Sequence, residues 1–116
     1  MADQQNGSSG NPLRAKALRL SELVDYQHGS VVSREILKGS AGTVTVFAFD
    51  EGEGLSEHTA PFDALVTVLD GEVEVVISGE SHRLAEGETI MMPAGKPHSL
   101  KALRRFKMLL TLIRNA

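Results

Sequence analysis

From Val31 onward the apolar residues come in short runs, each cut off by glycine, proline or a glycine-bearing pair. No stretch there combines the length of a helix with a 3.6-residue apolar period. The sequence therefore predicts a protein made of short strands. Val31–Leu37 reads as a first strand, ended by Gly39-Ser40, and Thr43–Phe49 as a second. In the second, Val44, Val46 and Ala48 alternate with Thr45, Phe47 and Phe49, and neither set is strongly polar. Successive side chains of a strand point to opposite faces, so this strand is expected to be covered on both. Ala64–Leu69 and Glu72–Ser78 flank Asp70-Gly71, a pair that favours left-handed backbone and predicts a tight hairpin. Gly79-Glu80 predicts a further turn, after which Ser81–Leu84, Thr89–Met92, Ser99–Leu103 and Phe106–Ile113 complete the set. The last run puts Phe106, Met108, Leu110 and Leu112 on one face.

A chain of many short strands must dispose of its unpaired edges, which a closed barrel or a sandwich does. At 116 residues there is material for one domain with a modest core. The polar segment 1–12, rich in Gly, Ser, Gln and Asn, is expected to be a flexible tail ahead of a domain over 13–116. It lacks the apolar run of a secretory signal, and there is no cysteine for disulfides, thiolate ligands or a thiol nucleophile. A cytoplasmic location is the expectation. Pro12–Leu23, which mixes basic and apolar residues, suits either a short helix or an edge strand.

Several function classes find little support. Lys101, Arg104, Arg105 and Lys107 form a local basic cluster, but the formal net charge is -3 and aromatic residues are only 4% of the chain. Binding to nucleic acid needs a concentrated positive field or stacking platforms, so no nucleic-acid partner is expected. No apolar run is long enough to suggest a membrane helix. Gly87 and Gly95 are separated by a strand and do not form a phosphate-binding loop, and no Gly-x-Ser-x-Gly elbow occurs.

The chemistry-bearing residues are the histidines. His28 beside Gly29 and His82 in a polar strand read as surface groups. His58 lies just before one candidate strand and His98 at the head of another, so a barrel can bring the rings together. Two phrases hold them: Gly52, His58 and Gly71 in the first; Gly87, Pro93, Gly95 and His98 in the second. One of Met91 and Met92, adjacent on a strand, is expected to fill space inside.

The spacing of these phrases resembles the two signature motifs of the cupin superfamily, over roughly Val31 to Ile113. The resemblance implies an all-β cupin jelly-roll barrel, the double-stranded β-helix, whose fully equipped members hold a metal through three histidines and a glutamate. Here Ala60 stands at the second histidine position, Ala64 at the glutamate and Ala102 at a common final asparagine. What the resemblance implies for a metal site is therefore His58 and His98, with Asp63 as third ligand if a bulge turns it inward. Regular alternation would instead put Ala64 inside and Asp63 outside. A divalent transition metal (Zn, Ni, Fe or Mn) is the cofactor such residues suit, without ranking among them. The alanines would also leave room for a small-molecule ligand beside the two imidazoles. The leading expectation is a cupin with a pocket for a metal or a small molecule. The alternatives are a metal-dependent dioxygenase or isomerase-like enzyme, and a non-catalytic sensory or structural protein. Because cupins associate through their outer sheets, a homodimer is expected.

Overall fold

In the computed structural model, which describes residues Asn11–Arg114, the chain folds into nine strands. They are β1 (Val31–Gly39), β2 (Gly42–Phe49), β3 (Gly54–His58), β4 (Phe62–Asp70) and β5 (Glu72–Ile77), then β6 (Glu80–Ala85), β7 (Thr89–Met92), β8 (His98–Ala102) and β9 (Phe106–Arg114). A five-stranded sheet runs in the order β1-β2-β9-β4-β7, and a four-stranded sheet in the order β3-β8-β5-β6. Every pairing is antiparallel. The two sheets enclose the main core, as expected of the jelly roll. Among the described residues no helix is long and apolar enough to cross a membrane.

Eight of the nine strands were legible as alternating runs; β3 was not, and it carries one of the histidines. The Asp70-Gly71 expectation also fails in an instructive way. β4 does not pair with β5: the pair of residues turns the chain from one sheet into the other. Gly71 is still required, for its φ is +79° and a Cβ there would run into the Arg105 carbonyl oxygen. The tight hairpin lies instead at Ser78-Gly79, where Ile77 pairs with Glu80 and both turn residues have positive φ, 50° and 80°.

β2 is covered on both faces, for the reason its composition suggested. Phe47 and Phe49 face the barrel core with Phe106, while Val46 and Ala48 form a second apolar cluster with Val24. Of the short helix or edge strand expected over Pro12–Leu23, no strand forms and the helix is a single short turn. The segment holds a turn and a three-residue 3-10 helix, Leu20–Glu22, and the chain then lays Val24 and Tyr26 on the outer face of the larger sheet. The expected tail falls mostly on residues 1–10, outside the described residues.

Polar contacts fasten this strap. The Tyr26 hydroxyl donates to Asp70 at 2.5 Å, and Lys107 Nζ donates to the Ser21 carbonyl at 2.6 Å while lying 4.9 Å from the Tyr26 ring centre. Burial, and then Asp70, push the Tyr26 phenol above its ordinary value. At the end of the strap Asp50 accepts from the Gly29 amide and from Arg105 Nε, which together hold its carboxyl down at about 2.

Candidate functional site

β3 and β8 are neighbours, and their register places His58 directly opposite His98. The pairing slips between Leu55 and His58, an irregularity of the kind that re-aims side chains at the rim of a barrel. The ring centres lie 4.4 Å apart, edge to face at 68°. His98 is buried, at 5% exposure, whereas His58 is exposed at the mouth. Each ring is held the same way by its own chain. Nδ1 of His58 lies 2.8 Å from the Ser56 carbonyl oxygen, and Nδ1 of His98 lies 3.1 Å from that of Lys96. A carbonyl only accepts, so each Nδ1 is the donor, and in the neutral imidazole Nε2 is then left with a lone pair.

The rings stand at the end of a cavity of about 160 Å³ between the two sheets. Leu55 and Leu100 line it from the smaller sheet, and Ala64, Met92, Leu110 and Leu112 from the larger. Ala60 and Phe62 close the rim, and Arg114 stacks on the Phe62 ring at 5.1 Å. His58 and His98 are the only polar side chains of the lining. The hollow has a clear origin in sequence. Ala60 and Ala64 both face it, so the positions where the fully equipped pattern has a histidine and a glutamate hold methyl groups. Met92 is the inward member of its pair and Met91 is exposed.

Asp63 does not join the histidines. Ala64 takes the inward position on β4, and Asp63 Oδ1 accepts the Ala94 amide at 2.9 Å. With the Gly95 amide bonded to the Ala60 carbonyl, that contact ties the proline–glycine loop to the entry of β4. Among the described residues no group of three or more His, Asp or Glu is placed to hold a metal ion. The two remaining imidazoles fall short of the three or four protein ligands of an ordinary zinc site. The donor set does not fit a resident metal of the fully equipped kind. His28 is exposed beside Asp50, and His82 sits in β6 opposite Val75, so neither approaches the pair.

A larger open groove of about 500 Å³ lies elsewhere, between Glu51, Asp70, Glu86 and Arg105. Both its arginines and Asp70 are already paired, Arg105 with Asp50, Arg104 with Glu72 and Asp70 with Tyr26, and it contains no histidine.

Residues 45–112 match the family of cupin domains, which is more than half of the chain. The chain belongs to the cupin family. This cupin is similar to a conserved protein of unknown function from Streptococcus pyogenes, 39% identical with a TM-score of 0.86 over 92% of this chain and 94% of that one. A cupin superfamily protein from Desulfitobacterium hafniense is 26% identical with a TM-score of 0.85, over 91% and 97%. A cupin 2 conserved barrel domain protein from Leptotrichia buccalis is 40% identical over 84% of this chain, with a TM-score of 0.81. This cupin spans 47% of that longer protein. An uncharacterized protein of Aquifex aeolicus is 28% identical over 80% of this chain and 78% of its own length.

The lining residues Leu55 and Phe62 escaped the sequence reading. Leu55 is the single apolar residue of β3, and Phe62 stands next to a proline, so neither sits in an alternating run. Leu110 and Leu112 were visible as a face of β9, but nothing in the sequence separates the part of that face that meets a cavity from the part that meets side chains.

Proposed function

We propose that this cupin is a binding protein for a small, largely apolar organic molecule, seated in the barrel with its polar end at His58 and His98. The observation that carries this reading is the substitution of methyl groups at 60 and 64, which removes ligands and opens volume in the same place. At about 160 Å³ the cavity is smaller than the roughly 300–1,000 Å³ of drug-sized sites, so the ligand is a compact one. The apolar walls supply most of the contact, and the imidazoles at one end supply orientation. A metal-dependent oxygenase or isomerase reading loses ground because Asp63 is occupied at the Ala94 amide.

The test has a metal arm and an organic arm. Untagged protein exposed to iron, nickel, manganese and zinc should retain less than stoichiometric metal on elemental analysis. The double variant Ala60→His with Ala64→Glu should retain it stoichiometrically, because both positions face the histidines. Toluene, titrated into wild-type protein, should shift the methyl resonances of Met92, Leu110 and Leu112. Stoichiometric metal in the wild type that is lost in His98→Ala would return the chain to the metal-dependent class. No response to toluene would remove the apolar pocket.

A further inference from the structure

His98 poses a problem that its surroundings do not solve. It is the one buried polar residue among the described side chains, at 5% exposure. Its Nδ1 is committed to the Lys96 carbonyl, and among the described residues no hydrogen bond reaches its Nε2. The cavity it borders offers only carbon and sulfur besides the other imidazole. A buried acceptor without a donor costs free energy, and native structures leave few of them unexplained. His58 cannot supply the donor while its own Nδ1 proton is given to Ser56, since its Nε2 is then an acceptor too.

Resting on the pocket reading above, we propose that the occupant is a molecule of about the size of a benzene ring that carries one hydrogen-bond donor, a hydroxyl or an amine N–H, given to Nε2 of His98. Size follows from volume: an apolar cavity of about 150 Å³ admits benzene, and this one is about 160 Å³. The sign of the polar group follows from the tautomers. Both rings line the cavity with their Nδ1 atoms committed to carbonyls, and no lysine or arginine is among the lining residues. A carboxylate would bring further lone pairs to that end and lose its hydration in an apolar chamber. A neutral donor satisfies the buried acceptor and leaves the ring or alkyl body for the leucine and methionine walls. His58, exposed at the mouth, is placed to take a second donor or a water.

Three probes of one shape separate the possibilities: toluene, phenol and benzoate, titrated into the full chain by calorimetry. Phenol should bind about tenfold more tightly than either of the others, the worth of one well-made hydrogen bond. In a two-bond proton–nitrogen spectrum of the imidazoles, His98 should show a protonated Nδ1 and an unprotonated Nε2, and phenol should move the Nε2 signal. His98→Leu should keep toluene binding and lose the preference for phenol. Should that variant fail to fold, the wild-type titrations and spectrum decide alone. Equal binding of toluene and phenol, tighter binding of benzoate, or a proton on Nε2 would each overturn the donor assignment while leaving the pocket in place. If toluene also fails to bind, the pocket reading falls and the donor assignment with it.

Discussion

The barrel interior has a filled end and a hollow end, and β9 runs from one to the other. At the filled end Phe106 stacks on Phe49, ring centres 4.7 Å apart and 23° from parallel, against Val73 and Ala102. At the hollow end the same strand presents Leu112 to Ala64 and to the cavity below the histidines. Phe106 and Met108 are fully buried, whereas Leu110 and Leu112 are half-buried. β9 pairs with β2 without a break from Gly42–Ile113 to Phe49–Phe106, so strand pairing on that side does not distinguish the two ends. What differs is the volume of the inward side chains. A barrel becomes a container where its sequence withholds that volume, and the fold tolerates this because the other end supplies the close packing.

The sharpest way to break this contrast is to empty both ends in turn. Phe106→Ala should lower unfolding stability by about 3–5 kcal/mol, since a fully buried ring is lost and its cavity remains. Leu112→Ala, beside space that already exists, should cost no more than about 2 kcal/mol. Denaturant titrations that gave equal losses would mean that the two ends are packed alike. Filling them is the converse test, with smaller effects. Ala102→Leu should cost about 1–3 kcal/mol by overpacking, whereas Ala64→Leu should change stability by less than about 1 kcal/mol and abolish toluene binding. A folded Ala64→Leu protein that still bound toluene normally would place the cavity elsewhere.

Asp63 sharpens the picture of the hollow end further. Asp63→Ala should cost about 1 kcal/mol, the worth of its bond to the Ala94 amide. A variant of unaltered stability but reduced metal uptake would instead restore Asp63 as a ligand. The smallest effect belongs to the filled end and concerns acid. The Gly29 amide and then Arg105 hold the Asp50 carboxyl down at about 2 in the fold, below its ordinary 3.8, so the charged form stabilises the native state. That stabilisation is complete above the unfolded value of 3.8 and is lost as pH falls toward about 2. Unfolding midpoints of Asp50→Asn should accordingly be flatter than those of wild type across this window, and parallel curves would remove Asp50 from the account.

The fold was largely readable because alternation in the strands and glycine at the turns are local properties. β3 escaped because, of its five residues, only Leu55 is apolar, so no alternating run announced it. Asp70-Gly71 misled because a left-handed turn has one local signature whether it joins partners in one sheet or passes between sheets. Which of these occurs depends on β9, which takes the position beside β4. The approach of His58 to His98 followed from motif spacing together with a barrel. Strand periodicity put Asp63 and Ala64 on opposite faces and the motif position made Ala64 the inward one, while Asp63 accepts the Ala94 amide of the proline–glycine loop. The carbonyl partners of both Nδ1 atoms were not readable, because they depend on backbone direction two residues upstream of each ring.

β9, the last of the described strands, is central in the larger sheet, inserted between β2 and β4. Gly42 pairs with Ile113 and Phe49 with Phe106, so contacts that hold the sheet together join distant parts of the sequence. During synthesis β2 and β4 are made long before the strand that unites them, and both apolar clusters stay open until it arrives. Such topology postpones the reward for loop closure and slows folding. The half-made protein is thus a sheet in two pieces with sticky inner faces, and its exposure to aggregation is set by how soon the final nine residues of the barrel, Phe106–Arg114, clear the ribosome.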